Sequence, residues 1–399
     1  MPSNPLLSTA AQDYLFAHEQ EDEQKLVLKN QPIAGVDAKT MATQVAGRRK
    51  AKDKLPLWYS TRNIIYPPAL NLEQCSSQAT ALFKQRIIEE HLPDHNLLTG
   101  VDLTCGFGVD SFFLQSLFKK FSCVEQDRQL LKLTKNNHSA LGATMIDYYP
   151  TNASDFLTAH PTDFIFIDPS RRIKQQKVFR LGDAEPNVVT LQEIWLGWVK
   201  CVLIKASPML DVMQGLDELR AVKKVWVVAH HNECKELLFW QERDWQGEPE
   251  ITAIEIDRHG NALSTFSFIL SEEKKATASF SPAKTFLYEP NAALMKSGAF
   301  KLIAQRFGLS KIDAHTHLYT SAERMNDFPG RTFKIEQLHV TEADLHRLPG
   351  RKANVITRNF PKGPEELKKK LKVNDGGDAY LIAYTHQNQK FISLATREK

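Results

Sequence analysis

Between residues 76 and 272, short apolar runs alternate with segments in which apolar residues recur at helical spacing. The apolar runs predict strands, because a parallel strand that is covered on both faces shows little polar alternation. After a first strand that ends near Asp102, further strands are predicted at 121–127, 143–149, 164–168, 198–207 and 224–230. Helical patterns at 78–91 and 128–142 separate the early strands. The alternation predicts an α/β fold with a doubly wound parallel sheet, closed by an antiparallel hairpin at 251–256 and 264–270.

The two ends of the chain have different patterns. Helical periodicity at 8–29 and 37–54 predicts a small N-terminal helical domain. After the polar segment 271–275, strand and helix patterns at 285–288, 292–307 and 314–320 favour a small ferredoxin-like α/β unit. Four further strands surround a basic helix near the end, at 332–338, 353–357, 379–385 and 390–394. We therefore predict four domains, at 1–75, 76–272, 276–331 and 332–399.

The most informative segment is Val101-Asp-Leu-Thr-Cys-Gly-Phe-Gly108, an apolar run that ends in an acid and two spaced glycines. Gly106 and Gly108 lack a Cβ, so the backbone can turn tightly and approach a ligand. A carboxylate at Asp102 would repel a dinucleotide pyrophosphate and attract the ammonium and sulfonium charges of S-adenosylmethionine (SAM). We predict a SAM site in which this loop supplies Asp102, Thr104, Cys105, Gly106 and Gly108.

Two later acidic positions fit the same cofactor. Glu125 lies nineteen residues beyond Gly106, where a nucleotide-binding α/β unit places the carboxylate that accepts both ribose hydroxyls. The neighbouring Gln126 belongs to the same predicted contact. After the third strand, either Asn152 or Asp155 can accept a hydrogen bond from the adenine amino group, and the sequence does not choose between them. The predicted cofactor-binding residues of these two loops are Glu125, Gln126, Asn152, Ala153 and Asp155.

The fourth predicted strand ends abruptly in Asp168-Pro-Ser-Arg-Arg172. Ligands of doubly wound sheets bind at the carboxyl ends of the strands, so Asp168 is expected to face the transferable methyl group. Pro169 fixes its φ angle and removes a backbone donor, which holds the preceding aspartate outside the helical region. Arg171 and Arg172 offer two guanidinium forks suited to phosphate. The predicted catalytic residues are Asp168, Pro169, Ser170 and Arg171.

The end of the fifth predicted strand adds Lys205 and Ser207, which can line the same crevice. Methylation of pyrimidine carbon 5 would need a cysteine nucleophile near this end. Cys201 lies within the apolar run itself, so the sequence argues against that mechanism.

Together, these motifs resemble the class I SAM-dependent methyltransferases, and in particular the bacterial group that carries a C-terminal THUMP-like domain. Other segments that match this group are Leu57-Trp-Tyr-Ser60, Ile65-Tyr-Pro-Pro68, Glu73-Gln-Cys-Ser-Ser77, Leu287-Tyr-Glu-Pro-Asn-Ala-Ala293 and Phe328-Pro-Gly-Arg331. The resemblance covers nearly the whole chain. It implies a Rossmann-like seven-stranded methyltransferase core and an RNA substrate, rRNA or tRNA, with the substrate resting on the accessory domain.

Two departures from the methyltransferase pattern limit what carries over. Thr104 stands where the commonest loop has its first glycine, which indicates a slightly different turn. Ser170 and Arg171 replace the Pro-aromatic pair of the amino-methylating motif, so no aromatic ring follows Asp168-Pro169 to stack on a flipped base. Amino-group methylation is therefore disfavoured.

Charge and composition set outer limits on the function. The formal net charge is only +4, but residues 331–372 hold eleven Lys and Arg against five Asp and Glu. Such a basic module is the electrostatic footprint of RNA binding. The five cysteines show no paired spacing, so we predict reduced thiols and no metal site. With no membrane-span pattern and no secretion signal at the start, a cytoplasmic location and no membrane or DNA partner are expected.

Two other classes of function stay open from the sequence. One is a methyltransferase that acts on a small molecule or a protein. The other is a catalytically silent RNA-binding protein that has kept the fold.

Overall fold

A computed structural model describes residues 4–28, 31–170, 172–173, 176–177 and 180–398. Close packing divides the chain into two compact units. The first holds residues 1–231, 235–247 and 256–263, and the second holds 232–234, 248–255 and 264–399. The finer four-domain boundaries stay a prediction.

The first unit begins with helices and continues as alternating strands and helices. Its helices are α1 (Thr9–Ala17), α2 (Glu23–Leu28), α3 (Ala38–Lys54), α4 (Pro56–Ser60), α5 (Ala69–Gln74), α6 (Gln78–His91), α7 (Val109–Leu114), α8 (Arg128–Ala140), α9 (Ala153–Ala159), α10 (Val188–Trp195) and α11 (Val212–Glu218). Its strands are β1 (Thr99–Asp102), β2 (Lys120–Val124), β3 (Ile146–Tyr149), β4 (Phe164–Ile167), β5 (Arg172–Ile173), β6 (Gln176–Lys177), β7 (Cys201–Ala206), β8 (Val222–His230) and β9 (Glu233–Glu242).

Seven of these strands lie side by side in the order β8-β9-β7-β4-β1-β2-β3. Strand β1 lies between β2 and β4 and pairs in parallel with both. Strand β3 continues in parallel from β2, and β7 from β4. All four residues of β4 and all six of β7 are buried, which explains their apolar pattern, interrupted in β7 by Lys205. The carboxyl ends of β1, β2, β3, β4 and β7 therefore meet at one edge of the sheet.

The sheet contains an antiparallel strand that the sequence pattern did not indicate. Strand β9 runs antiparallel to β7, in addition to the hairpin that we expected at 251–256 and 264–270. Strand β9 was missed because it opens with charged residues ahead of its apolar run, Leu237–Trp240. The hairpin strands exist as β10 (Glu250–Ile256) and β11 (Ala262–Ile269), and the division between the two units passes through them.

The N-terminal helices pack against the loop that follows β1. The Trp58 ring of α4 is fully buried, and its centroid lies 5.2 Å from that of Phe112 in an edge-on arrangement and 6.4 Å from that of Phe107. Other members of this apolar cluster are Ala51, Leu55, Ile64, Tyr66, Leu72, Ala81 and Val109. The 8–29 helical pattern is divided into α1 and α2. The segment 58–77, which follows the second predicted helical pattern, contains most of α4 and all of α5.

The second unit is built around one seven-stranded sheet in the order β13-β14-β12-β15-β18-β17-β16. The strands are β12 (Phe286–Pro290), β13 (Ser310–Lys311), β14 (Tyr319–Ser321), β15 (Gly330–Gln337), β16 (Asn354–Arg358), β17 (Ala379–His386) and β18 (Gln389–Arg397). The helices are α12 (Leu270–Lys275), α13 (Ala292–Ser297), α14 (Phe300–Arg306), α15 (Glu342–Arg347) and α16 (Pro364–Leu371). The helical pattern 292–307 forms two helices because Gly298 adopts a left-handed φ of +83°.

Strands of the expected ferredoxin-like and THUMP-like modules share this sheet, since β12 pairs with β15. Its core is formed by Leu287, Ile312, Leu318, Phe333, Ile356, Ile382, Tyr384 and Ala395. In the part of the chain that the structure describes, no helix is long and apolar enough to cross a membrane.

Candidate active site

The predicted site residues of β1, β2 and β4 come together at the edge of the first unit's sheet. Asp102 lies opposite Cys123 of β2 and opposite Phe166 of β4 in the parallel register. The loops after β2 and β4 therefore each begin one strand spacing from the loop after β1, at the same edge of the sheet, as expected from the sequence.

The loop after β1 turns at its two glycines. Gly106 and Gly108 have φ angles of +54° and +77°, a region that residues with a Cβ adopt only under strain. A Cβ at Gly108 would lie 2.4 Å from Thr134 Cγ2 and 2.5 Å from His138 Nε2, so this glycine is also required by packing. A Cβ at Gly106 would meet only the Thr104 carbonyl oxygen, at 3.7 Å. The backbone at Gly106 is therefore open to a ligand.

Helix α8 holds the loop from the side opposite that opening. Thr134 Oγ1 donates to the Gly106 carbonyl at 2.7 Å, and His138 Nε2 lies 2.8 Å from the Gly108 carbonyl. Because a carbonyl only accepts, His138 carries its proton on Nε2 there, and Nδ1 accepts from the Tyr148 hydroxyl at 3.0 Å. Burial lowers the pKa of His138 to about 4, which keeps the ring neutral. Sequence reasoning missed both side chains, although their i, i+4 spacing places them on one helix face.

Glu125 connects the end of β2 to the loop. Its Oε2 accepts from the Gly106 amide at 3.0 Å and its Oε1 from the Asp127 amide at 2.9 Å. Burial raises the pKa of Glu125 despite these bonds. The side chain is half-buried, and each carboxylate oxygen has a second lone pair, so Glu125 can still accept from ribose hydroxyls. Gln126 is exposed beside it.

Asp102 is more deeply placed than its predicted role required. It is 1% exposed, its Oδ1 accepts from the Thr104 amide at 3.0 Å, and its Oδ2 from the Ser111 hydroxyl at 2.5 Å. Burial raises the pKa of Asp102 to about 7, more than the hydrogen bonds lower it. These two bonds hold the start of the loop, and contact of Asp102 with a cofactor stays a prediction.

The two adenine candidates contact each other at the start of α9. Asn152 caps the helix by accepting from the Asp155 amide at 2.9 Å, and its Nδ2 donates to Asp155 Oδ2 at 2.8 Å. Both residues are exposed, and Ala153 between them is buried. The structure brings both to the end of β3 without choosing one, so the adenine contact stays a prediction.

Asp168 stands at the end of β4 and is held from two sides. Its amide donates to Thr104 Oγ1 at 2.7 Å, and its Oδ2 accepts from Lys205 Nζ at the end of β7. The threonine that replaces the usual glycine thus links the cofactor loop to the predicted catalytic aspartate. Among the described residues, no group bonds to Asp168 Oδ1. Within the described residues, Oδ1 is therefore available to accept a hydrogen bond from a bound substrate.

The residues after Asp168 differ in what the structure says of them. Pro169 is buried. Ser170 forms an antiparallel bridge with Glu185 through two backbone hydrogen bonds, of 2.7 and 3.2 Å. Arg171 lies outside the described residues, and Arg172 is described only as part of β5. Cys105 is buried, and its amide donates to the Val124 carbonyl at 2.9 Å, which attaches the loop to β2.

The C-terminal part of the chain matches two known domain families. Residues 286–329 match a ferredoxin-like domain, and residues 330–397 match a THUMP domain-like family. The chain carries a ferredoxin-like domain followed by a THUMP-like domain. Over 97% of both chains it also resembles the crystal structure of a "putative methyltransferase from Porphyromonas gingivalis W83", at 29% identity and a TM-score of 0.83. This similarity supports methyltransferase activity and confirms the predicted fold class.

Weaker similarities cover about 40% of the chain. A "putative RNA methyltransferase" from Pyrococcus horikoshii is 19% identical over 40% of this chain and 74% of its own, with a TM-score of 0.30. An "rRNA Methylase" from Streptococcus thermophilus is 18% identical over 40% of this chain and 93% of its own, with a TM-score of 0.29. Superpositions this loose carry no information about function. Among curated proteins, none matches the chain.

Gly108→Ala tests the packing of the loop. The added methyl group combines a strained φ with collisions against Thr134 and His138, so the free energy of unfolding is expected to fall by about 2–5 kcal/mol. Gly142→Ala is the matched control, because its φ of +86° is equally strained but no atom lies within 4 Å. Denaturant unfolding should show a loss of only about 1–2 kcal/mol for the control. Equal losses for the two variants would contradict the packing argument.

The raised pKa of Asp102 predicts a pH-dependent stability. Between pH 4 and pH 7 the folded protein keeps a proton on Asp102 that the unfolded chain has released, so stability falls as the pH rises through this window. Relative to Asp102→Asn, the unfolding free energy of the wild type should decrease by up to about 4 kcal/mol from pH 4 to pH 7. Asp244→Asn, at an exposed aspartate, is the control and should leave the slope unchanged. A wild-type curve parallel to that of Asp102→Asn would show that burial does not perturb this carboxyl.

Proposed function

We propose that the protein is a SAM-dependent methyltransferase that modifies a base of rRNA or tRNA. The observation that carries the proposal is the open backbone at Gly106, which Glu125 holds beside the strand end that bears Asp168. The full-length similarity to a putative methyltransferase supports the reaction type.

The residues present fit the cofactor on chemical grounds. Glu125 is the acceptor for ribose hydroxyls, Gly106 leaves room for the nucleoside, and Asn152 or Asp155 is the partner of the adenine amino group. When bound, SAM supplies a methyl group on a sulfonium, which is already a good electrophile. Asp102 contributes indirectly, because its bonds to Thr104 and Ser111 fix the loop in its open conformation.

The chain's own chemistry in the transfer is orientation and proton removal. Asp168 Oδ1 accepts a hydrogen bond from the nucleophile's N–H or O–H and takes its proton as the new bond to carbon forms. Thr104 holds the backbone amide of the aspartate, and no donor among the described residues bonds to this oxygen.

The positive charge of the second unit supports an RNA substrate. On and just after α16, Lys369, Lys370 and Lys372 are exposed and form no ion pair with the described residues. Lys362, just before α16, is instead paired with Glu366 of the helix. Lys368 is paired with Glu365 and Asp375. The three unpaired lysines are available to phosphates, which bind basic surfaces by releasing counterions.

Methyl transfer is tested with methyl-labelled SAM and total bacterial RNA. We expect label in RNA, lost about 10²-fold or more in Asp168→Asn because the proton acceptor is removed. Calorimetry should show that this variant keeps its affinity for S-adenosylhomocysteine within about threefold, whereas Glu125→Gln and Gly106→Ala lose about tenfold. Gly142→Ala is the control for the glycine variant.

Three results would contradict the proposal. Label in small molecules or protein would favour another substrate class, and RNA binding without transfer would favour a silent RNA-binding protein. Loss of cofactor affinity in Asp168→Asn equal to that in Glu125→Gln would mean that the two carboxylates do not have separate roles.

The lysine surface is tested by the salt dependence of RNA binding. Replacing Lys369, Lys370 and Lys372 by Ala should weaken RNA binding and reduce the slope of log K against log salt by about 2, the value for three lost contacts to a single strand. The control replaces Lys274, Lys275 and Lys390, which are also exposed, and should leave the slope unchanged. If both triple variants behave alike, net charge rather than this surface is responsible.

A further inference from the structure

Beneath the proposed active site lies a connected set of buried charges. Lys84 of α6 is fully buried. No more than 8% of the residue is exposed at Asp110 of α7, Glu236 of β9 and Lys205 of β7. Asp168 completes the set and is the member that reaches solvent, with 32% of its side chain exposed. No sequence motif indicated this set, because its members come from five separate elements.

Direct contacts connect Lys84 with Asp110 and Glu236, and Lys205 with Asp168. Lys84 Nζ lies 2.5 Å from Glu236 Oε1 and 3.2 Å from Asp110 Oδ1. Asp110 also accepts from the Ser76 hydroxyl at 2.6 Å. Lys205 Nζ donates to Asp168 Oδ2 and lies within the field of Asp110 and Glu236.

The charge state of Lys205 follows from these neighbours. Burial alone would lower its pKa, but the carboxylates of Asp168, Asp110 and Glu236 outweigh burial and raise the pKa, so the side chain stays an ammonium. With all members ionised, three carboxylates face two ammonium groups, and the set carries one negative charge in excess. Asp168 is the most exposed carboxylate of the set. Because solvent stabilises an unpaired charge, the excess negative charge costs least free energy at Asp168, at the strand end where the methyl acceptor would bind.

We propose that Lys205 is a positioning residue for Asp168 in methyl transfer. The proposal rests on the proposed function and deepens it. Ile167 and Ile204 are opposite each other in the parallel register, so the next residues, Asp168 and Lys205, are neighbours at the ends of adjacent strands. The ammonium holds Oδ2 while Thr104 holds the backbone amide, which leaves Oδ1 as the oxygen that meets the nucleophile.

An anchored ammonium is needed for this task. A solvated lysine could leave Asp168, but Lys205 is buried, and the negative charges of Asp110 and Glu236 favour its ammonium form. Lys84 pairs with both of these carboxylates and offsets one of their two charges. The orientation of the exposed aspartate therefore depends on a buried partner and not on its own loop alone.

The test is a double-mutant cycle of Lys205→Ala and Asp168→Asn with labelled SAM and RNA. Lys205→Ala is expected to lower kcat about tenfold or more while KM for SAM and for RNA changes less than about threefold. In the Asp168→Asn background the same change should lower kcat no further. Lys200→Met is the control, since Lys200 immediately precedes β7, is half-exposed and pairs with Asp94. Ethylammonium, but not ethanol, should restore part of the rate of Lys205→Ala by refilling the site with a cation.

Several outcomes would overturn the proposal. These are a wild-type kcat in Lys205→Ala, equal losses in the two Asp168 backgrounds, an effect confined to KM for SAM, or equal rescue by ethanol. If Lys205→Ala does not fold, Lys205→Gln, which keeps a donor without the charge, serves in the same cycle.

A failure of the proposed function is recognised separately, because the wild type would then transfer no methyl group. Urea unfolding of the four forms still tests the pair without a substrate. The double variant should change the unfolding equilibrium constant by a factor that differs about fivefold or more from the product of the two single-variant factors. Strict additivity of the two changes in unfolding free energy would overturn the proposal.

Discussion

The conformation of one short loop is the constraint on which the proposed site depends. After β1 the backbone must pass through two left-handed positions, and it does so at Gly106 and Gly108. One glycine is enclosed by Thr134 and His138 and the other faces open space. A loop with this shape lets a ligand approach the backbone on one side while its other side is part of the protein core.

Hydrogen bonds transmit this shape to the neighbouring strand ends. Glu125 ties the loop to β2, and Thr104 ties it to Asp168 at the end of β4. Apolar packing adds a third support, because the N-terminal helices place Trp58 against Phe107 and Phe112. The site is thus assembled from segments far apart in sequence, and a change in the loop is expected to affect cofactor binding and the position of the aspartate together.

Local sequence patterns predicted much of this arrangement but not its interior. The strands, helix α6 and the glycine turn were recognisable because periodicity and glycine spacing are local signals. Strand β9 was missed because it contains a glutamate, Glu236, at a buried position. This buried carboxylate is compensated by Lys84, a partner 152 residues away in the chain. Asp102 was recognised as important, but its deep burial and its bond to Ser111 were not foreseen. Such effects depend on tertiary neighbours, and a single sequence does not contain that information locally.

The central claim is that a nucleoside cofactor binds where the backbone is open at Gly106 and Glu125 stands ready to accept its ribose. A crystal structure of the protein soaked with S-adenosylhomocysteine tests this most directly. The account predicts the ribose hydroxyls within hydrogen-bond distance of Glu125 and the nucleoside alongside Gly106. Binding of the compound at another place, or closure of the loop over that space by the protein's own atoms, would contradict it.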